Sequence, residues 1–383
     1  MPRPSDSPAI LQVLPSLVTG GVERGTVEIT EAVARSGGRA LVASAGGPMV
    51  EAIERAGGRH ISLPLHAKEP FGIWRNARRL EALIRSERVE IVHARSRAPA
   101  WSAWLACRRT RAHFITTYHG TYNEDLPFKR HYNAVMAHGE VVIAASRFIA
   151  DLVAERHGVA QERIRVIPRG VDPSVFDPAR VSAERVSRLA RAWDLPPGLP
   201  VVMLPGRLTS WKGQTVLLDA LARLGRRDVA CVFVGSDQGR RDYAARLRRR
   251  AEDAALADRV RFVGHCDDMP AALMLADVIV HASTEPEAFG RVVIEAQAMR
   301  RLVVAADLGG PVETVRHGET GWRVRPGDPA ALSVALDHVL ALDATTRCAI
   351  GARARASVPT VRAMQDATLA VYAEVAGLPM AGR

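Results

Sequence analysis

Two carboxylates in the last third of the chain stand at a spacing that can serve one ligand. Glu287 and Glu295 are eight residues apart within the segment STEPEAFGRVVIEAQAMRRLVVAADLGGPVET, which covers 283–314. Glu287 falls in a turn-like segment after the apolar run DVIVHAS, and Glu295 is predicted to fall two turns into an apolar-rich helix that starts near Gly290. Because a helix turns once in about 3.6 residues, both side chains can reach one cleft. A glycine-containing loop that opens a helix also presents free backbone N–H groups and a positive dipole end, so the segment suits an anionic or hydroxyl-rich ligand.

The same segment resembles a known sugar-binding motif. An E-x7-E pattern after a short strand, followed by GGPVE at 309–313, is similar to the donor-sugar site of retaining GT-B glycosyltransferases, in particular glycosyltransferase family 4. The resemblance implies that Glu295 hydrogen-bonds the ribose hydroxyls of a donor nucleotide and that Glu287 accepts hydrogen bonds from the donor sugar. It also implies that four residues present backbone N–H groups toward sugar and phosphate: Ala288, Phe289, Gly290 and Arg291. The alternative is a capped, solvent-facing helix start with two ordinary surface glutamates.

Two cations, Arg207 and Lys212, occupy the loop between a predicted strand and a predicted helix in VVMLPGRLTSWKGQTVLLDAL. A nucleoside diphosphate leaving group gains negative charge as its glycosidic bond breaks, and two fixed cations beside a helix N-terminus stabilise that charge without a metal. Arginine offers a planar fork to phosphate oxygens, and lysine offers a point charge. The R-x4-K spacing is similar to the pyrophosphate clamp of the resembled family and makes both residues catalytic candidates. A pair of solvated loop cations is the alternative.

A glycine pair, Gly20 and Gly21, follows the first predicted strand in LVTGGVERGTVEI, with Thr19 directly before it. Glycine permits close backbone approach to a ligand and positive φ angles. The resemblance implies that this loop faces the donor phosphate and the acceptor. The segment lacks a full G-x-G-x-x-G pattern, so dinucleotide binding is not supported, and a plain strand-to-helix turn is the alternative.

Other candidate residues also stand at the ends of predicted strands. His119 lies in ITTYHG, where a histidine can donate to a sugar hydroxyl or stabilise a transition state. The resemblance implies a place for it near the reacting centre, and a structural histidine is the alternative. The loop at Gly264 and His265 is a candidate for recognising the donor base through backbone atoms. Candidate acceptor contacts follow two further predicted strands, with solvated basic loops as the alternative: Arg95, Arg97, Ser146 and Arg147.

Short apolar runs alternate with amphipathic stretches along the chain, and this order predicts parallel sheets covered by helices on both faces. Thirteen runs are predicted as strands: ILQVLPSL, RALVASA, HISLPL, VEIVHAR, HFITTYH, EVVIAAS, RIRVIP, VVMLPG, VACVFVG, RVRFVG, DVIVHAS, LVVAADL and TGWRV. The rhythm breaks in the proline-rich segment 168–200, and beyond Asp328 the chain is predicted to be mostly helical. The pattern predicts an α/β protein with two tandem sheets. The resemblance implies the GT-B fold, in which two Rossmann-like doubly wound domains face a central cleft.

These boundaries divide the chain into four parts. We predict an N-terminal, acceptor-side domain over 1–170, a linker over 171–199 and a C-terminal nucleotide-sugar-binding domain over 200–358. The resemblance implies that the last part, 359–383, forms a helix that crosses back to the N-terminal domain.

The composition narrows the class of protein. Of the 383 residues, 48% are hydrophobic, which is enough for packed cores, and the net charge is +11 with a sequence pI near 10.3. Four cysteines form no C-x-x-C pair, so neither a zinc cluster nor a disulfide framework is predicted. The first apolar stretch is too short for a signal peptide, and no apolar run reaches the roughly 18 residues that suggest a membrane span. No D-x-D motif occurs, so we expect no metal and no other cofactor.

A basic surface favours anionic partners, and two segments of the first domain combine aromatic residues with cations: Ala98–Arg111 and Phe128–His131. Such helices fit an anionic membrane surface, and they fit equally an ordinary helix with one side in the core and the other in solvent. The run RLRRR at 246–250 contains no aromatic residue for base stacking, so nucleic-acid binding is not predicted.

The resemblance implies a retaining, metal-independent glycosyltransferase. It would move a sugar from a nucleotide-sugar donor to a glycan or glycolipid acceptor of the bacterial lipopolysaccharide or exopolysaccharide type. We expect a cytoplasmic protein, and a peripheral location on the inner face of the cytoplasmic membrane is part of this expectation. Two alternatives stay open: another GT-B activity, such as a nucleotide-sugar 2-epimerase or a glycan phosphorylase, and a catalytically silent GT-B binding module.

Overall fold

The computed structural model describes residues 8–18, 20–124 and 126–377, and these form two compact units. The first unit runs to Pro168 and takes in the chain again from Val361, and the second unit is Arg169–Thr360. Each unit contains its own parallel β-sheet, so the prediction of two doubly wound α/β domains is confirmed. Among the described helices, none has both the length and the apolar composition that crossing a bilayer requires.

The first unit has a seven-stranded sheet in the order β3-β2-β1-β4-β5-β6-β7. Its strands are β1 (Ala9–Val13), β2 (Arg39–Ser44), β3 (Arg59–Ser62), β4 (Val89–Ala94), β5 (His113–Tyr118), β6 (Val141–Ala144) and β7 (Ile164–Val166). β1 is buried along its whole length, because helices cover both faces of a parallel sheet. The winding direction changes between β1 and β4, and ligands of doubly wound sheets bind beyond the strand ends at such a switch point.

Seven helices accompany this sheet in the described residues. They are α1 (Gly21–Arg35), α2 (Val50–Arg55), α3 (Pro70–Ser86), α4 (Arg97–Cys107), α5 (Pro127–Asn133), α6 (Arg147–His157) and, from the end of the chain, α15 (Val361–Ala376). α15 packs against α1, and its Tyr372 joins a core cluster with Ile10 of β1 and Ile91 of β4. The Tyr372 hydroxyl also lies 2.6 Å from Nδ1 of His93, so a buried polar contact ties α15 to β4.

The second unit has a six-stranded sheet in the order β10-β9-β8-β11-β12-β13, again with parallel neighbours. Its strands are β8 (Val201–Pro205), β9 (Ala230–Val234), β10 (Val260–Gly264), β11 (Val278–His281), β12 (Leu302–Ala306) and β13 (Trp322–Val324). Each of the thirteen apolar runs predicted as strands overlaps one strand of the two sheets. The predictions succeed because strands that are covered on both faces are nearly continuous apolar runs.

The helices of the second unit include one in the segment predicted as a linker. They are α7 (Ala183–Ala192), α8 (Gln214–Arg223), α9 (Arg241–Asp253), α10 (Met269–Leu275), α11 (Arg291–Ala298), α12 (Pro311–Thr314), α13 (Pro329–Leu340) and α14 (Ala344–Ser357). α7 packs on α10, and Arg185 donates to both carboxylate oxygens of Asp268 at 2.9 and 2.6 Å. Residues 171–199 therefore fold as part of the second unit.

The carboxyl ends of the parallel strands of the second unit share one edge of the sheet. The loop after β8 carries Arg207 and Lys212, and the loop after β11 carries Glu287. β8 and β11 are neighbours in the sheet although two strands separate them in sequence. This neighbourhood brings the loop that carries the two predicted cations beside the loop that carries Glu287.

Candidate functional site

Lys212 ends a short 3-10 turn, Ser210–Lys212, which is fixed to the loop after β11. The backbone N–H of Thr284 donates to the carbonyl of Trp211 at 2.8 Å. Gly213 follows with φ of 73°, and a Cβ at this position would lie 1.9 Å from the carbonyl oxygen of Ala282. Because only glycine permits this approach, the sequence WKG fixes where the Lys212 side chain starts.

The loop that carries Glu287 is held by the glycine pair of the GGP segment. The N–H of Gly310 donates to the carbonyl of Glu287 at 2.8 Å. A Cβ on Gly309 would lie 2.6 Å from the same carbonyl oxygen, and a Cβ on Gly310 would lie 2.3 Å from that of Ala288. The glycines thus let the loop after β12 approach the Glu287 backbone, which gives a structural reason for the GGP pattern.

Three side chains donate to one oxygen of Glu287. Oε1 lies 2.6 Å from Nζ of Lys212 and 2.7 Å from Nε2 of His281, and it accepts a short hydrogen bond from the Ser283 hydroxyl. The Lys212 and Glu287 side chains are only 13% and 15% exposed, so water screens the pair weakly. Lys212 also lies over the Trp211 ring, 4.6 Å from its centroid, in a cation–π contact.

The pKa of Glu287 follows from opposing effects. Burial alone raises the pKa of this carboxyl, whereas the charges and hydrogen bonds of His281 and Lys212 lower it. The combined effect of these two partners exceeds that of burial, and the pKa of Glu287 lies well below the ordinary value of 4.5. Glu287 is therefore a carboxylate that accepts hydrogen bonds and has little tendency to take up a proton.

His281 and Ser283 were not predicted as site residues. His281 lies at the end of β11 inside the apolar run DVIVHAS and is 5% exposed. The sequence contained one signal for His281, a histidine within an otherwise apolar strand. A buried imidazole requires a polar partner, so such a histidine indicates a polar group nearby. Its Nδ1 is buried without a hydrogen-bond partner among the described residues, whereas its Nε2 lies 2.7 Å from Oε1 of Glu287 and 3.3 Å from the Ser283 hydroxyl.

Glu295 is buried on α11, where it is the fifth helical residue. The predicted helix start near Gly290 is confirmed, because α11 begins at Arg291, but Glu295 lies about one turn into the helix and not two, since the loop before it supplies half of the E-x7-E spacing. Nε of Arg291 lies 3.6 Å from Oε1 of Glu295, one turn along the same face. Gly290 precedes the helix with φ of 81°, and Phe289 is buried.

The remaining donor candidates of the second unit lie at exposed loops. Arg207 is exposed, and its Nη1 lies 3.4 Å from Oε1 of Gln238. Gly264 ends β10 with φ of 72°, and His265 after it contacts Asp267 at 3.0 Å. The named contacts thus join Lys212 and Glu287, and they do not include Arg207 or His265.

The candidates of the first unit line the carboxyl edge of its sheet. Gly20 and Gly21 lie at the start of α1, and Thr19 lies outside the described residues. His119 directly follows β5, is half-buried, and its backbone bonds to the Tyr122 hydroxyl. This edge includes the β1–β4 switch point and so remains the candidate acceptor side.

The four acceptor candidates of the first unit differ in how deeply they are buried. Arg95 is 2% exposed, and burial lowers the pKa of its guanidinium. Arg97 donates to Asn133 at 2.8 Å and stacks on the Tyr122 ring. Ser146 is buried and caps α6, because its hydroxyl accepts the N–H of Ile149. The fourth candidate, Arg147, is exposed on the first turn of α6.

Within the described ranges, no group of three or more histidine, cysteine, aspartate or glutamate side chains is placed to hold a metal ion. The cysteines are free thiols, and burial raises the pKa of Cys107 to about 12.

Comparison with known proteins finds two family models, one in each half of the chain. The model described as Glycosyltransferase Family 4 matches residues 19–175, and the model described as Glycosyl transferases group 1 matches residues 187–357. The crystal structure of a glycosyltransferase from Rickettsia africae ESF-5 is 37% identical, has a TM-score of 0.90, and covers 97% of this chain and 99% of that chain.

Curated relatives are similar over part of their length. The D-inositol 3-phosphate glycosyltransferase of Jonesia denitrificans is 31% identical over 260 residues, which is 61% of this chain and 59% of the relative. The protein of the same name from Xylanimonas cellulosilytica is 30% identical over 289 residues, or 69% of this chain and 67% of the relative. The chain spans about half the length of two further relatives of this name, at 48% and 49%.

Proposed function

Because the chain belongs to the glycosyl transferases group 1 family, we propose that it transfers a sugar from a nucleoside-diphosphate-sugar donor to an acceptor hydroxyl. We further propose that the sugar keeps its anomeric configuration and that no metal or other cofactor takes part. The observation that carries this proposal is the ion pair of Lys212 and Glu287 at the carboxyl edge of the second sheet. It supports the proposal because an ammonium group suits phosphate oxygens and a neighbouring carboxylate suits sugar hydroxyls.

The ion pair has the chemistry that a sugar–phosphate junction requires. A lone carboxylate would repel a diphosphate, but Lys212 offsets the charge of Glu287. The ammonium group of Lys212 has three N–H donors. One of them donates to Glu287, so two are left for phosphate oxygens. The carboxylate in turn accepts from sugar hydroxyls, as the family resemblance implies.

In the proposed reaction, the bond from the anomeric carbon to the diphosphate oxygen breaks, and a bond to the acceptor oxygen forms on the same face. The acceptor proton passes to the leaving phosphate oxygen. Lys212, Arg207 and the N-terminus of α11 stabilise the negative charge that grows on the diphosphate. Glu287 orients the sugar and is not the base, because its pKa is held well below the ordinary value.

We propose a cell-surface glycan or glycolipid as the acceptor, of the lipopolysaccharide or exopolysaccharide type. The net charge of +11 supports an anionic acceptor. The relatives named D-inositol 3-phosphate glycosyltransferase add a phosphorylated polyol to the acceptors that should be tested. His119, Arg97 and Arg147 are the candidate residues on the acceptor side.

We also propose a cytoplasmic protein that associates with the inner face of an anionic membrane through the first unit. Exposed aromatic side chains support this: Phe71 and Trp74 stack on each other at the start of α3, and Phe128 lies on α5. In the predicted segment 98–111, Trp101 donates to the Tyr132 carbonyl at 3.1 Å, so this side chain makes a contact within the unit. Cosedimentation with vesicles of anionic and of neutral lipid tests the association, and Phe71→Ser with Trp74→Ser should weaken it.

The transfer itself is tested by thermal shift and product analysis with UDP-, GDP- and ADP-sugars in the presence of a chelator. We expect one donor to stabilise the protein, Lys212→Ala and Glu295→Ala to remove the effect, and the product to have the donor's anomeric configuration by NMR. Conversion of the donor without acceptor would indicate a nucleotide-sugar 2-epimerase. Donor binding without turnover on any acceptor would indicate a binding module.

A further inference from the structure

We infer that His281 and Ser283 are positioning residues for the donor sugar, because they hold Oε1 of Glu287 so that Oε2 meets a sugar hydroxyl. The inference rests on the proposed function and assigns roles to two residues at the end of β11 and just after it.

The contacts of the Glu287 carboxylate are unequally divided. Lys212, His281 and Ser283 all donate to Oε1. Within the described part of the chain, Oε2 has no hydrogen-bond partner, and it is not among the fully buried polar atoms. An ionised carboxylate accepts hydrogen bonds at both of its oxygens, so Oε2 is open to a donor from outside the protein. A sugar hydroxyl is such a donor.

The three donors differ in how firmly they are fixed. Lys212 reaches Glu287 with a four-carbon stem, and in the proposed function a diphosphate competes for its ammonium group. His281 is the last residue of β11, is 5% exposed and has few rotatable bonds. Ser283 is 1% exposed. We therefore expect His281 and Ser283 to keep the carboxylate in place while Lys212 turns toward phosphate.

The burial of His281 also argues that it is kept for this contact. Its Nδ1 is buried without a partner among the described residues, which costs free energy, and an aliphatic residue would continue the apolar pattern of β11. Replacement of His281 by leucine should therefore leave folding largely intact. The loss should appear in sugar recognition.

The experiment compares two ligands that differ only in the sugar. The full chain is titrated calorimetrically with two ligand pairs, UDP with UDP-glucose and GDP with GDP-mannose. The variants are then measured with the pair that binds to the unmodified protein. We expect His281→Leu to lower the affinity for the nucleotide sugar by about tenfold, while the affinity for the nucleoside diphosphate changes by less than about twofold. Ser283→Ala should act in the same direction, and His281→Gln, which keeps an N–H donor, should restore most of the affinity.

A matched histidine serves as control. His60 contacts the Ser44 hydroxyl at 2.9 Å in the first unit, and His60→Leu should change neither affinity. If His281→Leu lost affinity for both ligands equally, or for neither, the inference would be overturned and the proposed function would stand. Failure of the unmodified protein to bind any nucleotide sugar would overturn both.

Discussion

The ammonium nitrogen of Lys212 lies 2.6 Å from Oε1 of Glu287, although 75 residues separate the two in the chain. The contact exists because β8 and β11 are neighbours in the second sheet, so the loops that follow them meet. It makes the charge of the site depend on both residues together. Removing either side chain should therefore change the net charge that a ligand meets at the site, in addition to removing the contact itself.

The ion pair predicts an asymmetric response to substitution. Lys212→Met should weaken nucleoside diphosphate binding by about 100-fold or more, because it removes a cation and leaves the Glu287 charge facing the phosphates. Glu287→Gln should lower sugar transfer with a smaller effect on the nucleoside diphosphate. The double variant should bind the nucleoside diphosphate more tightly than Lys212→Met alone. Titration calorimetry of the three variants measures the coupling.

Lys129→Met is the control for this cycle, since it removes a lysine from α5 in the first unit. Its donor affinity should equal that of the unmodified protein. Strict additivity of the Lys212 and Glu287 effects would show that the two groups do not share one ligand site.

The low pKa of Glu287 predicts how its contribution to stability varies with pH. A carboxyl whose pKa is lower in the folded state than in the unfolded state stabilises the fold above the ordinary value of 4.5. The contribution is lost as the pH falls from that value toward the folded pKa. The difference in free energy of unfolding between the unmodified protein and Glu287→Gln should therefore shrink by more than about 1 kcal/mol from pH 7 to pH 3.5.

Urea unfolding at several pH values measures this difference. Glu319→Gln is the control, because its ion pair with Arg316 is exposed and contributes little. A gap between the unmodified protein and Glu287→Gln that stays constant or widens in acid would contradict the prediction.

The sequence predicted the strands, but it did not predict the contacts between the loops that follow them. Strands such as β8 and β11 are apolar runs that a parallel sheet requires, so composition alone identifies them. Their adjacency depends on topology, which a run of residues does not encode. Lys212 and Glu287 were thus both predicted as donor-site residues, but nothing in their spacing predicted that they form an ion pair.

Other differences arise from side-chain direction and from packing. His281 was not predicted as a site residue, because a single polar residue in an apolar run is weak evidence for a functional site. Arg95 was predicted at a loop, yet it lies on the same face as His93 two residues earlier and is buried with it. The proline-rich segment around α7 was predicted as a linker, whereas the contact of Arg185 with Asp268 includes it in the second unit.

The close approach of Gly309 to Glu287 predicts a specific steric effect. Gly309 and Gly318 have similar φ angles, 68° and 77°, but a Cβ on Gly309 meets the Glu287 backbone, whereas a Cβ on Gly318 meets nothing within 4 Å. Gly318→Ala should cost about 1 kcal/mol of stability from backbone strain alone. Gly309→Ala should cost more and should also weaken nucleotide-sugar binding, because it displaces the loop of Glu287. Thermal unfolding and ligand titration of both variants check this, and equal effects would show that the contact is unimportant.

The contact between Tyr372 and His93 predicts how firmly α15 is attached to the first unit. Tyr372→Phe removes a buried hydrogen bond of 2.6 Å and should cost about 1–3 kcal/mol of unfolding free energy. Tyr132 provides the matched control, because its hydroxyl is buried without a hydrogen-bond partner among the described residues. Tyr132→Phe should be neutral or slightly stabilising, since it removes a polar group that burial leaves unsatisfied. Urea unfolding followed by tryptophan fluorescence compares the two, and a larger loss in Tyr132→Phe would show that the tyrosine hydroxyl of α15 does not anchor the helix.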